Sequence, residues 1–96
     1  MIGVVADYDF PADLLSLQRD WYTADARCEE IGAAHPRAVD VVAGTAQVSE
    51  AEYRELKAAR AERWNLTDQL QRHPWWSTVD DRLAAKAALR AAARTT

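Results

Sequence analysis

Residues 14–31 read LLSLQRDWYTADARCEEI. Within them Leu14, Leu17, Trp21, Ala24, Cys28 and Ile31 follow one another at steps of three, four, three, four and three. That alternation is the ~3.5-residue repeat of a coiled-coil seam, which keeps one narrow apolar stripe of a helix turned toward a partner helix. Leu15 and Tyr22 form a second, shorter stripe on another flank. One helix with two apolar stripes has surface for two neighbours.

Pro11 sets the start of this first helix: proline is pre-shaped for the first turn and lacks a donor that the turn would leave unpaired. Asp9 and Asp13 place negative charge at the positive end of the helix dipole. Pro36 stops the helix by biasing His35 away from the α region, which gives a helix over 11–34. Residues 36–48, PRAVDVVAGTAQV, have no helical period and Gly44 marks a break. Val39, Val41 and Val42 within them fit either a short strand or an extended strap over the helices. Ser49 followed by Glu52 is a capping box, so a second helix runs over 49–72, ended by Pro74. Its apolar arc holds Tyr53, Leu56, Ala59, Trp64, Leu66 and Leu70, about 160° wide on a ~100° wheel, as for a helix with two partners. A third helix spans 78–94, capped by Ser77 or Thr78, with Asp80 and Asp81 in its first turn. Val79, Leu83, Ala87 and Ala91 are its expected buried stripe, mostly small side chains that allow close approach.

The two long helices have equal lengths and matching apolar faces, which predicts an antiparallel hairpin with a third, C-terminal helix folded back on it. The fold class is therefore all-α, a coiled-coil-like hairpin completed to a three-helix bundle, and residues 1–96 read as a single helical domain. Leu17 should lie near Leu66 and Leu70, and Ile31 near Tyr53 and Leu56. The first ten residues, with Ile2, Val4, Val5, Tyr8 and Phe10, are too apolar for a free tail, and either pack back on the helices or pair with a partner strand.

Composition narrows the function classes. One cysteine, Cys28, excludes an intramolecular disulfide. Residues 1–10 hold two aspartates and no basic residue, unlike a secretory signal, and no apolar run reaches the ~18 residues of a membrane span. The expected setting is cytoplasmic, without a membrane. The net charge of −3 is unevenly spread: residues 1–35 carry seven acids and two bases, residues 73–96 two acids and four bases. The ends either attract each other in the fold, or the basic end meets an anionic partner.

No constellation carries enzyme chemistry. Glycine-rich phosphate loops, G-x-S-x-G and H-E-x-x-H are absent, and the two histidines end different helices, ~35 Å apart in an antiparallel pair. The chain reads as non-enzymatic, with no catalytic residue, no metal, no cofactor and no small-molecule substrate indicated. Each His-Pro is a helix terminus, and Cys28 on the seam is a small buried hydrophobe. Arg63, inside the second helix's apolar arc, either extends its head to water or pairs across the hairpin with Asp25 or Asp20.

Four tryptophans are many for 96 residues. Trp21 belongs to the seam. Trp75, Trp76 and Trp64 are candidate partner-binding residues, because exposed aromatic rings make strong interface anchors; the plainer reading is that Trp75 and Trp76 plug the end of the bundle. Arg82, Lys86, Arg90 and Arg94 recur every four residues, a slowly drifting positive stripe whose like charges repel slightly. They are candidate anion-binding residues, since phosphate contact would offset that repulsion; plain solubility opposite an alanine face would explain them too. The function expected is a protein–protein interaction module, an adaptor or regulator binding a protein partner or forming a homodimer. The other reading is a nucleic-acid-associated accessory protein using the basic stripe.

Two resemblances bear on this. Chain length and paired helices look like the small secreted hairpin proteins marked by a Trp-x-Gly turn, but no Trp-x-Gly and no terminal Tyr-x-x-x-Asp/Glu occurs here, so that match is rejected. The capped second helix, the R-H-P-W-W turn at Arg72 to Trp76 and the Ala/Arg-rich tail, with 20 alanines and 10 arginines in the chain, are similar to short uncharacterised proteins of actinomycete genomes. That resemblance covers roughly residues 49–94 and implies no activity, cofactor or site residue.

Overall fold

The computed structural model describes residues 8–35, 43–44 and 49–95. Helix α1 spans Ala12–Ala34 and α2 spans Glu50–Arg72; a 3-10 turn, Pro74–Thr78, leads into α3, Arg82–Arg94. Described residues outside these elements form no strand. The fold is the expected all-α arrangement of three helices, with α1 packed against both α2 and α3, while α2 and α3 barely meet each other.

The local signals act as the sequence predicts for the first two helices. The Pro11 carbonyl accepts the Leu14 and Leu15 N–H groups, each at 3.1 Å, and opens α1. His35 is extended (φ −78°, ψ 152°), as a residue before proline must be, and ends it. Ser49 Oγ accepts the Glu52 N–H at 3.1 Å and caps α2. Gly44 has φ 77°, the left-handed region open to glycine without a Cβ penalty. The valines 39, 41 and 42 and the apolar residues 2, 4 and 5 lie outside the described residues.

Cross-links between α1 and α2 fix their register. His73 meets Asp13 at 2.9 Å, Trp21 Nε1 donates to Thr67 Oγ1 at 2.8 Å, and Arg63 Nη1 donates to Asp25 Oδ1 at 2.7 Å. Ile31 and His35 share a shallow hollow with Glu52 and Glu55. Position rises along α1 as it falls along α2, so the pair is antiparallel. Ala24 and Cys28 of the seam are buried, as are Ala59 and Leu66 of α2, whereas Leu14 is buried in a cluster with Trp76, Ala85 and Leu89. The arc expected on α2 is narrower than its pattern suggested: Tyr53 is 59% and Trp64 74% exposed. Among the described residues no second helix covers that flank.

The third helix differs from expectation in start and phase. Ser77 Oγ donates to the Pro74 carbonyl (2.8 Å) and Thr78 Oγ1 to the Trp75 carbonyl (2.6 Å), so both hydroxyls are spent inside the 3-10 turn. Asp81 takes the cap, its Oδ1 accepting the Ala84 N–H at 3.1 Å. Helix α3 therefore begins at Arg82 rather than at residue 78, and Val79 stands outside it. The buried stripe is Ala85, Leu89 and Ala93, spaced by four, and Leu83 is 81% exposed. Ala85 and Leu89 cluster with Leu14 and Trp76, and Arg94 reaches Tyr22, so α3 runs in the same direction as α1. The Leu15–Tyr22 stripe of α1 faces α3, as its position on a second flank implied.

Candidate functional site

The base of the bundle is an aromatic plug. Trp75 packs its ring 6.0 Å from Tyr8, 5.1 Å from Phe10 and 5.2 Å from Trp76, centroid to centroid. Trp76 is 6% exposed, and its Nε1 donates at 2.6 Å to the Leu70 carbonyl, which also accepts the His73 N–H at 3.4 Å at the end of α2. Of the three candidate tryptophans, then, Trp76 is core, Trp75 is half-buried, and Trp64 alone stands in solvent. Tyr8 and Phe10 pack back on this plug.

His73 locks the same end. The Trp75 N–H donates to its Nδ1 at 3.1 Å, so that nitrogen carries no proton and the ring hydrogen on Nε2 points at Asp13. The hydrogen bond to His73 lowers the Asp13 carboxyl below its ordinary value. An Asp–His pair invites a catalytic reading, but both ring nitrogens are spent on the fold and neither is left to a substrate. Sequence spacing hid the pair, because the partners lie on different helices. On α1 and α2 the Arg63–Asp25 pair is two-thirds buried, and its hydrogen bond holds the guanidinium's proton even more firmly than usual.

A concavity lies where α2 and α3 diverge above α1. It encloses about 340 Å³. Gln18, Trp21 and Tyr22 form its floor on α1; Thr67, Leu70 and Gln71 form one wall on α2; Trp76 closes the base. The opposite wall is α3, with Leu89 below and Lys86, Arg90 and Arg94 above. Three of the four basic-stripe residues thus converge on one cleft, and Arg82 stands off it. Lys86 Nζ lies 6.0 Å from the Trp76 ring centre and the Arg94 guanidinium 5.2 Å from that of Tyr22, within range of cation–π attraction. The cleft is lined by three cations and no acid, although the whole chain is acidic. None of the three cations has an ion-pair partner among the described residues. The basic stripe was visible in sequence; the aromatic floor that it overhangs was not.

A second exposed feature lies higher on the hairpin. Tyr53, Lys57, Arg60 and Trp64 recur at steps of four, three and four, so they share one face of α2, and all four are exposed. Gln71, five turns on from Tyr53, repeats its direction and lines the cleft, so this face is on the α3 side. Helix α3 has 13 residues against 23 in each hairpin helix, so ~15 Å of hairpin on that side extends past its length.

No cluster of potential metal ligands occurs among the described residues. No described helix is long and apolar enough to cross a membrane. The chain belongs to the family of the domain of unknown function DUF8825, whose model matches residues 13–92. No curated protein and no solved structure matches the chain.

Proposed function

We propose that this chain is a non-enzymatic protein–protein interaction module, an adaptor or regulator, whose α2 shelf receives an acidic amphipathic helix of a partner protein. The observation that carries the reading is Trp64, 74% exposed on the same face as Tyr53, with Lys57 and Arg60 between them. Large aromatic rings left in water beyond the end of a covering helix are a ready hot spot, since each offers much apolar area at little rotamer cost. Lys57 and Arg60 have no ion-pair partner among the described residues, which selects for acids beside the partner's apolar positions. A second copy fits the shelf less well. The outer face of α1 (Asp13, Ser16, Asp20, Thr23, Arg27, Glu30) offers acids but no apolar side chain, and α3 brings like charge. The setting adopted is the cytoplasm of an actinomycete, on the composition and the R-H-P-W-W turn.

The test is a photo-reactive amino acid at Ala61, one helical turn from Trp64, used in the native host. The expected product is an adduct with an acidic, apolar-faced helix of another protein, lost in Lys57→Glu/Arg60→Glu and retained in Arg82→Glu. No adduct, or one insensitive to the charge reversal, refutes the reading. So does an adduct to a second copy together with a mass near twice 10.7 kDa by light scattering. The nucleic-acid reading gains nothing from the geometry, because the basic residues turn into a cleft instead of forming a row that tracks a backbone. A mobility-shift assay should show no complex at moderate salt, where few phosphate contacts are quickly lost.

A further inference from the structure

The cleft between α2 and α3 has a different chemistry from the shelf and carries its own inference. We propose that it is a binding site for a small aromatic carboxylate. Volume sets the size of the ligand: about 340 Å³ lies at the small end of ligand pockets (~300–1,000 Å³). At ~30 Å³ per water-sized group it holds about a dozen non-hydrogen atoms. The floor and base set the body of the ligand. Trp21, Tyr22 and Trp76 bring three rings to the cleft, and the hydrogen-bonded indoles of Trp21 and Trp76 hold their rings in place. A planar ring meets them edge or face and displaces water from apolar surface. The rim sets the head of the ligand. Lys86, Arg90 and Arg94 lie on one wall, exposed, without acid partners and without an acid elsewhere in the lining. Such a wall attracts one anionic group and offers it charge-assisted hydrogen bonds, with the forked guanidiniums matched to a carboxylate.

This also accounts for the four-residue repeat of like charges on α3. Repulsion along that stripe is a cost to the free helix, and an anion at the rim would relieve it for the three cations that share the cleft. Arg82 lies off the cleft and takes no part.

The chain supplies its own internal control, four indoles of which two line the cleft. Two-dimensional proton–nitrogen NMR of the intact protein resolves the four indole N–H signals as 2-naphthoate is added, with 2-naphthamide as the neutral molecule of the same shape. The expected result is that the Trp21 and Trp76 signals move together on 2-naphthoate while those of Trp64 and Trp75 stay. The amide is expected to bind about tenfold more weakly or worse, since a hydrogen bond to a charged group contributes ~1.5–3 kcal/mol. Arg90→Gln/Arg94→Gln should weaken 2-naphthoate about tenfold with helicity by circular dichroism unchanged, because both side chains are exposed; Arg82→Gln should leave it unaltered. Binding of acid and amide with equal affinity overturns the proposal. So does movement of all four indoles alike, or full affinity in the double variant. The outcome is independent of the shelf, whose reporter is Trp64.

Discussion

Truncating Leu14 and Leu89 separately measures how the two ends of one cluster are enclosed. Both side chains belong to the same buried group with Trp76 and Ala85, and they are 0% and 1% exposed. Area alone would make the two substitutions equal, at the ~2–5 kcal/mol of a core Leu→Ala change. Their surroundings differ. Leu14 sits on α1 beneath the 3-10 turn and α3, with Trp76, Ala85, Leu89 and Val79 around it, so its removal leaves an enclosed void that cannot easily collapse. Leu89 also borders the 340 Å³ cleft, so the space it vacates joins a cavity already open to water. The cavity penalty is then small, and the cost reduces to lost apolar transfer. Leu14→Ala should cost about 4 kcal/mol and Leu89→Ala about 2–3. At ~4–8 °C per kcal/mol for a domain of this size, the first variant should melt at least ~16 °C below the parent, and the second about half as far. Urea unfolding followed by circular dichroism gives both numbers. Hydrogen exchange adds the location: Leu89→Ala should loosen the amides of α3 first, since α3 is held by α1 and hardly by α2. A Leu14→Ala cost below 1 kcal/mol, or equal costs at both sites, would refute the enclosure argument.

Three further outcomes follow from single interactions. Asp81→Ala should cost about 1 kcal/mol by removing the cap of α3, whereas Ser77→Ala or Thr78→Ala should cost less, and the reverse order in chemical denaturation would return the cap to the 3-10 turn. A double-mutant cycle on Asp25 and Arg63 should give a coupling near ~1 kcal/mol, the top of the range for exposed pairs, because both side chains are about two-thirds buried; a coupling of zero would remove the pair from the register argument. Asp13 has its folded value lowered below 3.8 by His73, so its contribution is present above that value and lost as pH falls through the folded one. Stability measured between pH 5 and pH 2.5 should therefore fall less steeply in Asp13→Asn than in the parent, and an identical slope would show that the contact is energetically silent.

What could be read from sequence were signals confined to one helix. The seam from Leu14 to Ile31, the Ser49 cap and the two prolines act within a turn or two, and each places a boundary to within a residue. Arg63 was visible as a misfit inside an apolar arc, and a cross-hairpin acid follows once two helices are antiparallel. The third helix gave no such contrast. Its alanines surround the whole wheel, and Leu83 and Leu89 point ~120° apart, so periodicity cannot choose between them. Docking on α1 makes the choice, and the 3-10 turn that sets the phase of docking depends on two hydroxyls with equally good local uses. The Asp13–His73 contact and the lining of the cleft join residues from different elements, which no spacing within one segment records. Trp76 illustrates the limit: adjacent tryptophans in a turn announce an aromatic end, but it takes the fold to show that the ring of Trp76 turns inward and donates to the Leu70 carbonyl.

The cleft itself follows from a mismatch of side-chain size. Ala85 and Ala93 let α3 approach α1 closely, and Leu89 fills the one larger gap between them. Trp76, much larger, occupies the base between the end of α2 and the start of α3 and bonds to Leu70, which holds α2 at a distance that alanines cannot bridge. Two helices then share α1 as a common wall but diverge above a tryptophan wedge, and the space between them stays open. A bulkier α3 stripe would have moved that helix off α1, and a smaller residue at position 76 would have let α2 and α3 close on each other. The basic residues follow from the same phase. Once Ala85, Leu89 and Ala93 face α1, Lys86 and Arg90, each one position further round the helix, are carried to the flank that looks across at α2, and Arg94 follows Ala93 to the upper rim. The convergence of three cations on an aromatic floor is therefore a consequence of where α3 is capped, and the placement of the charge depends on Asp81 as much as on the charged residues themselves.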